Sequence, residues 1–298
     1  MAQLYIVSTP IGNLGDLSRR AVEVLREADR VLAEDTRRTG ILCRAYAIDT
    51  PLVSAHEHNE AARAEQVVGW LDAGETLALV TDAGTPLLSD PGARLVRRVI
   101  EAGHEVVPVP GASALLAALV GSGLEGEPFT FYGFLPRSGR ERTERLAELG
   151  GLPHTAVVYE SPERLGSLLS ELASGSAEGR RVVVARELTK VHEEFRWGTL
   201  AELAAYYGDR PVKGEVVVVL EGPQRLPRGA AFAEERGEGE LDFGRAVQRG
   251  RCLADEGRHA GGLVGALRQP LARDRNPVRV ADLLRFRGAQ RTASRLLR

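Results

Sequence analysis

Residues 80–103 read VTDAGTPLLSDPGARLVRRVIEAG, and this stretch decides how the chain folds. Strand-forming residues lead into a segment, 82–92, that holds two glycines, two prolines, two aspartates, a threonine and a serine. Apolar residues at helical spacing follow it. In sheets built from strand–helix units, ligands bind beyond the carboxyl ends of the strands. We therefore interpret this connection as a ligand-binding loop between a buried strand and a helix.

Strand-like and helix-like segments alternate outward from this loop. The first 110 residues contain five strand patterns, and FTFYGF, TAVVYE, RRVVVARE and GEVVVVLEG follow in the second half, with EEFRWGTL as a further strand or hairpin. Such alternation predicts two α/β domains with largely parallel sheets. We place the first domain at residues 1–120 and the second at 121–222, followed by a linker (223–240) and an irregular, arginine-rich tail (241–298).

Two helix starts are expected from their residue types. Asp16 is a plausible N-cap for the first helix, because short polar side chains bind the free amides there. Asp90-Pro91-Gly92 is expected to cap and start the helix after the fourth strand.

Composition excludes several classes of protein. The chain has 298 residues, of which 43% are hydrophobic and 27% are charged, as is usual for a globular protein. No apolar run approaches the roughly 20 residues of a membrane helix, and the first residues lack a signal-peptide pattern. Two cysteines predict neither a disulfide framework nor a Cys-rich metal site. A cytoplasmic enzyme or binding protein, without membrane contact, is expected.

Charge is unevenly distributed. Residues 241–298 hold 13 arginines and 5 acidic residues, a balance of +8, which leaves −10 for the preceding residues of a chain with net charge −2. A basic segment on an acidic body permits contact with an anionic partner such as nucleic acid. A solvated arginine-rich tail without a partner is the alternative.

Two further loops that follow strands are also rich in glycine, proline and small polar residues. STPIGNLGD (8–16) follows the first strand, and PVPGASA (108–114) leads into a helix of small residues whose amino end can receive polar ligand groups. The former is neither a dinucleotide fingerprint, which needs three spaced glycines, nor a P-loop, which needs a lysine. Each loop alone could be a structural turn. Three of them at strand ends in one domain predict a site for a small, flat, polar ligand.

Five ordered motifs point to a family. LYIVSTPIGNLGDLS, AEDTRRTGILCRAY, SAHEHNE, ALVTDAGTPLLSDPG and VPVPGASALLAAL resemble the ribosomal RNA small-subunit methyltransferase I family, whose members are similar in fold to tetrapyrrole methylases. The resemblance extends over about residues 3–222, through FYGFLPR, VVYESPERL, ARELTKVHEEFRWGTL and KGEVVVVLEG. It implies methyl transfer from S-adenosylmethionine to the ribose 2′-oxygen of a cytidine in the decoding region of 16S rRNA. It also implies a homodimer acting on an assembled small ribosomal subunit.

The resemblance also implies where the cofactor binds. In the wider superfamily the cofactor lies folded in the cleft between the two α/β domains, held mainly by backbone groups. A side chain at Ala83 or Gly84 larger than the present one would then occupy ligand volume. The implied cofactor-binding residues are Pro10, Gly12, Asp82, Ala83, Gly84, Thr85, Ser113, Ala114, Tyr159 and Leu188.

A ribose hydroxyl is a weak nucleophile, so a positioned base or a polarising cation would assist the reaction. The main candidates are Asp35, Arg37, His56 and Lys190, and their neighbours Glu34, His58 and Glu187 are further candidates. An Asp35–Arg37 or Glu34–Arg38 structural network is the alternative for the first group, and a phosphate contact is the alternative for Lys190. The two histidines would share one face of a strand, but a third metal ligand is not evident, so no metal is expected.

Binding of RNA requires basic surface, since neutralisation of phosphates supplies much of the affinity. One compact basic group comprises Arg137, Arg140, Arg142 and Arg145, and a second comprises Arg37 and Arg38. A solvated helix face is the alternative for the first group.

The tail departs from the family, whose members usually continue into a small helical segment with a Ser/Lys/Arg-rich helix entry and a terminal aromatic. We hypothesise a change of reading frame near residue 240. Two other functions stay open: a methyltransferase for a tetrapyrrole or another small molecule, and a non-catalytic protein that binds cofactor or RNA.

Overall fold

Two five-stranded sheets follow one another along the chain, and both belong to one structural unit. The computed structural model describes residues 2–56, 60–175, 179–208 and 210–222. The linker and the tail expected from the sequence lie outside these residues, so the frame-change hypothesis stays a hypothesis.

The first sheet is entirely parallel, with the strand order β3-β2-β4-β1-β5. Its strands are β1 (Gln3–Val7), β2 (Arg30–Ala33), β3 (Leu52–Ser54), β4 (Leu77–Val80) and β5 (Glu105–Val109). The helices of this half are α1 (Arg19–Glu27), α2 (Thr36–Ala45), α3 (Glu60–Asp72), α4 (Ala93–Glu101) and α5 (Ala114–Ser122).

Helices cover both faces of this sheet, which explains why its strands are apolar on both sides. In β4, Ala78 and Val80 face α1 and α2, whereas Leu77 and Leu79 face α3 and α4. The helices divide in this way because parallel strands are joined by right-handed crossovers: connections that run toward β3 lie on one face and those that run toward β5 lie on the other. We call this sheet with α1–α4 the first lobe.

The second sheet has the order β6-β7-β10-β8-β9. Its strands are β6 (Phe129–Phe134), β7 (Thr155–Glu160), β8 (Arg181–Arg186), β9 (Glu194–Thr199) and β10 (Val216–Leu220). Its helices are α6 (Gly139–Gly151), α7 (Leu165–Gly175) and α8 (Leu200–Tyr207). They pack on one face, and α5 packs on the other through Leu115, Ala118 and Leu119. We call this sheet with α6–α8 the second lobe.

The prediction of a largely parallel second sheet is wrong. Only β6 and β7 pair in parallel, whereas β10 runs antiparallel to both β7 and β8, and β9 runs antiparallel to β8. A short loop joins β8 to β9, and a loop of that length makes a hairpin, since a parallel pair needs a longer crossover. The last strand, β10, then inserts between β7 and β8.

Two helix starts differ from the expected ones. Ser18, not Asp16, caps α1: its Oγ accepts a hydrogen bond from the Ala21 amide, and Leu14–Asp16 form a separate 3-10 turn. Helix α4 begins after Gly92, which has a left-handed φ of 118° and no side-chain cap. A carboxylate from α3 takes the capping role, because Glu60 Oε1 accepts from the amides of Arg94 and Leu95 at 2.8 and 3.1 Å.

Candidate active site

A cavity opens at the carboxyl edge of the first sheet. Strands β2 and β4 are neighbours, but the chain leaves them in opposite directions, toward β3 and β5, which is the topology that produces a ligand crevice. The cavity has a volume of about 430 Å³ and is lined by both lobes. Its lining comprises Ile11, Glu34, Arg38, residues 82–85, Leu88, Ser89, Asp90, Ser113, Ala114, Phe134, residues 159–162 and residues 214–217.

The loop after β4 is tied to the loops after β1 and β5. Thr9 and Gly84 exchange backbone hydrogen bonds, with N–O distances of 2.8 and 3.0 Å. Thr85 Oγ1 donates to the carbonyl of Ala112 at 3.2 Å and accepts from Ser8 Oγ at 3.3 Å. The three unusual loops of the sequence therefore form one continuous wall.

The amino end of α5 forms a second part of the wall. Ser113 is its N-cap, and its Oγ accepts from the Leu116 amide at 3.5 Å. From the second lobe, Tyr159 Oη accepts from the Leu115 amide at 3.1 Å. Burial raises the pKa of Tyr159, so the phenol stays neutral. The positive end of a helix dipole thus lies beside the cavity, where it favours an anionic group.

Three carboxyl groups, those of Glu34, Asp82 and Asp90, also line the cavity. Thr81 Oγ1 donates to Glu34 Oε2 at 2.9 Å, and Asp82 Oδ1 accepts from the Asp35 amide at 3.0 Å. Burial raises the pKa of Asp90 to about 6; its hydrogen bond with Thr81 opposes this rise, and the charges of Glu34 and Asp82 add to it.

Burial likewise raises the pKa of Asp82, and the nearby Glu34 charge adds to the rise, although the Asp35 amide and Arg38 oppose it. Arg38 also lines the cavity, and its NH1 lies 3.4 Å from Asp82 Oδ2. The excess of carboxylates makes this part of the cavity suited to a positively charged group.

A family model of tetrapyrrole (corrin/porphyrin) methylases matches residues 3–204. The chain is 46% identical over 243 residues to the ribosomal RNA small subunit methyltransferase I of Synechocystis, with 81% of this chain and 86% of that protein covered. The enzyme of the same name from Bacillus subtilis is 46% identical over 222 residues, with 74% and 76% covered. The chain belongs to the ribosomal RNA small subunit methyltransferase I family.

Solved structures with low sequence identity share the fold. A cobalt precorrin-4 methyltransferase of cobalamin biosynthesis superposes with a TM-score of 0.59 at 17% identity, covering 74% of this chain and 94% of that one. A uroporphyrin-III C-methyltransferase from Thermus thermophilus, complexed with S-adenosyl homocysteine, gives a TM-score of 0.54 at 22% identity, with 74% and 97% covered. The prediction of two α/β lobes of the tetrapyrrole methylase type is thereby confirmed.

Seven of the ten residues proposed to bind cofactor line the cavity: Asp82, Ala83, Gly84, Thr85, Ser113, Ala114 and Tyr159. The other three, Pro10, Gly12 and Leu188, lie outside its lining. Leu188 is buried in the apolar cluster that also contains Ile11 and Leu115.

At Gly12 and Gly84, the protein's own atoms leave little room for a Cβ. A Cβ at Gly12 would lie 2.3 Å from Lys190 Cγ, so this glycine allows the first lobe to approach the second. Gly84 has a φ of +89°, and a Cβ there would lie 3.3 Å from Ile11 Cγ2. Gly84 therefore adopts a left-handed backbone that other residues rarely adopt, and it also lines the cavity.

Asp35 and Arg37 form the structural pair that the sequence left as an alternative. Asp35 is the N-cap of α2, and its oxygens accept from the Arg37 amide, Nε and NH2 at 2.9, 3.0 and 2.7 Å. These hydrogen bonds lower the pKa of Asp35 to about 2. Neither side chain lines the cavity, whereas Glu34 and Arg38 do. Arg38 pairs with Asp82 rather than with Glu34.

Lys190 lies in the loop between β8 and β9, with its Nζ 2.8 Å from Glu187 Oε1 and 2.9 Å from Glu215 Oε2. Burial lowers its pKa, but the two carboxylates raise it above its ordinary value overall, so the amine stays charged. Glu215 lines the cavity, which places Lys190 near the rim rather than inside.

The remaining candidates are the two histidines that follow β3 in the sequence. His56 follows β3 and does not line the cavity. His58 lies outside the described residues. Among the residues that the structure describes, no group of three or more His, Cys, Asp or Glu could hold a metal ion, and no helix has the length and apolar character to span a membrane.

Sequence reasoning missed Asp90 and Phe134, which both line the cavity. The signal for Asp90 was its position three residues before the first residue of α4, which is also compatible with a role in capping the helix. Arg142, assigned to a basic surface, is instead 6% exposed, and its Nε contacts Glu171 Oε2 at 2.9 Å. Arg140 and Arg145 pair with glutamates of their own helix, as expected for a solvated helix face.

Proposed function

We propose that this chain transfers a methyl group from S-adenosylmethionine to the ribose 2′-hydroxyl of a cytidine in the decoding region of 16S rRNA. The observation that carries the proposal is 46% identity to a ribosomal RNA small subunit methyltransferase I over 86% of that protein's length. The cleft cavity supports it, because its volume of about 430 Å³ lies within the range of small-molecule sites.

The residues that line the cavity fit the cofactor. S-adenosylmethionine supplies a reactive sulfonium methyl group, and it carries two cationic groups and one carboxylate. Glu34, Asp82 and Asp90 would face the cations, and the start of α5 at Ser113 would receive the carboxylate. The backbone of residues 83–85 would contact the flat part of the ligand.

Asp90 is the residue we propose as proton acceptor, in place of Asp35. A general base works best when its pKa lies near the operating pH, and the pKa of Asp90 is about 6. Asp35, by contrast, has a pKa of about 2, is held by Arg37, and lies outside the cavity lining. Arg37, His56 and Lys190 then have roles outside the cavity; for Arg37 and Lys190 we propose contacts with RNA phosphates.

A homodimer is proposed from the surface of α5. This helix is apolar on all sides, and Leu116 and Val120 are 53% and 79% exposed. Trp197 of the adjacent β9 is 56% exposed and donates from Nε1 to the carbonyl of Ser122. An apolar surface of this kind favours burial against another protein surface, and a second copy of the chain is the occupant we propose. The proposed substrate, an assembled small subunit, places the enzyme in the cytoplasm.

The proposal is tested by offering three substrates to the purified chain with methyl-labelled S-adenosylmethionine. These are small subunits that lack the modification, naked 16S rRNA and uroporphyrinogen III. We expect label in the rRNA of the subunits. Label in the tetrapyrrole alone would contradict the proposal and favour the small-molecule alternative. Cofactor binding without transfer to any substrate would favour a non-catalytic protein.

A further inference from the structure

Two large apolar side chains stand exposed at the mouth of the acidic cavity. Phe134, the last residue of β6, is 56% exposed, and Leu88, in the loop after β4, is 40% exposed. Both line the cavity, and they come from opposite lobes. Exposed apolar surface that adjoins a ligand cavity is a frequent mark of a binding site.

A β-bulge turns Phe134 toward the cavity. Phe131 pairs with Val157 and Phe134 with Tyr159, so three steps along β6 match two steps along β7. Without the extra residue, alternation would direct residues 131 and 134 to opposite faces of the sheet. The bulge contains Gly133 with a φ of +62°, a conformation that favours glycine. Bulges beside functional sites commonly redirect a side chain in this way.

The ring of Phe134 is held in a fixed position. Phe131 and Phe134 both contact Tyr159 edge-on, with ring centroids 4.8 and 5.5 Å from it. Tyr159 is fixed in turn by its hydrogen bond from the Leu115 amide. The bulge also lies against the first lobe, because a Cβ at Gly133 would be 2.8 Å from Ser89 Oγ. Phe134 is therefore an oriented aromatic ring with one side open, rather than a loose surface residue.

We infer that Phe134 is the platform on which the base of the target nucleotide stacks, with Leu88 packing beside it. The inference rests on the proposed function. Proteins that recognise RNA sequence-specifically stack unpaired bases on aromatic rings. The carboxylates Glu34, Asp82 and Asp90 repel phosphate, so the uncharged base and ribose are the parts of the nucleotide that this mouth can accept.

The test compares three substitutions of Phe134 with a control on the same strand. Phe134→Ala removes the ring, Phe134→Leu keeps apolar volume without a π-face, and Phe134→Tyr keeps the π-face. Phe129→Ala is the control, because Phe129 is 38% exposed at the other end of β6 and does not line the cavity. The measurements are kcat and KM for unmodified small subunits, and the Kd for S-adenosylmethionine without RNA.

We expect kcat/KM for the subunits to fall by about 5- to 150-fold in Phe134→Ala, the range set by loss of one base–aromatic stack. Phe134→Leu should show a comparable loss, whereas Phe134→Tyr should recover most of the activity that Phe134→Ala loses. Phe129→Ala should act like the wild type. The Kd for S-adenosylmethionine should not change in any of them.

Two results would overturn the inference but leave the proposed function intact. The first is wild-type kinetics in Phe134→Ala or Phe134→Leu. The second is a loss of cofactor affinity that matches the loss of activity, which would assign the ring to the cofactor. Absence of transfer to rRNA by the wild-type protein would contradict the proposed function, and the inference with it.

Discussion

Replacing Asp90 with asparagine should stabilise the protein at neutral pH while removing its activity. The pKa of Asp90 is raised from 3.8 to about 6, so the fold favours the protonated carboxyl group. That stabilisation is complete below pH 3.8 and is lost as the pH rises through about 6. At pH 8 the ionised wild-type side chain therefore destabilises the fold, and a neutral asparagine avoids this effect.

The size of the expected gain in stability follows from the pKa shift of Asp90. A shift of about two pKa units corresponds to about 3 kcal/mol. Because Asp90 is only partly buried, solvent screening reduces this to about 1–2 kcal/mol in the free energy of unfolding. A carboxylate that lowers stability is expected where the function of the protein needs its charge.

Urea unfolding at pH 8 and pH 4 measures this difference, with Asp49→Asn as the control because Asp49 is exposed. Asp90→Asn should be more stable than the wild type at pH 8 and equal to it at pH 4, and should transfer no methyl group. A raised pKa of Asp90 is contradicted if Asp90→Asn is no more stable than the wild type at pH 8, or if its gain in stability is the same at both pH values.

Two further substitutions test the packing around the site, each by urea unfolding against a matched control. Gly12→Ala places a Cβ 2.3 Å from Lys190 Cγ and should lower the free energy of unfolding by about 1–3 kcal/mol. Its control is Gly69→Ala in α3, where no atom lies near the added Cβ, and this change should raise the free energy of unfolding by about 0.5–1 kcal/mol. Equal effects of the two substitutions would contradict the contact between the lobes. Arg142→Ala removes a buried cation that contacts two carboxylates and should lower stability by about 3–5 kcal/mol, against less than about 1 kcal/mol for the exposed Arg140→Ala. A small loss in Arg142→Ala would show that its ion pairs are open to water.

The first lobe was predictable because its sheet follows from the local pattern of alternating strands and helices. Alternating strands and helices imply right-handed crossovers and a parallel sheet, and loops at the carboxyl ends of its strands then meet at one edge. The lining of the cavity by residues 82–85, Ser113 and Ala114 follows from that topology. The contacts among these loops, such as the paired backbones of Thr9 and Gly84, confirm that they form one wall.

The second lobe was not predictable to the same degree, because strand direction depends on which strands pair. The apolar run of β10 fits a buried strand in either direction, and its insertion between β7 and β8 is set by tertiary packing. Asp90 was misassigned for a related reason: an aspartate before a helix fits both a cap and a cavity. In the structure Glu60 of α3 caps α4, and Asp90 lines the cavity instead.

The proposed function requires that the cleft cavity delivers a methyl group to a ribose of 16S rRNA. The most direct test is to incubate unmodified small subunits with the protein and labelled S-adenosylmethionine, then digest the rRNA and identify the methylated nucleoside and its position. We expect 2′-O-methylcytidine at one position in the decoding region with the wild-type protein, and none with Asp90→Asn. Label on a base rather than a ribose would contradict the proposed reaction, and equal transfer by both proteins would contradict the role of Asp90.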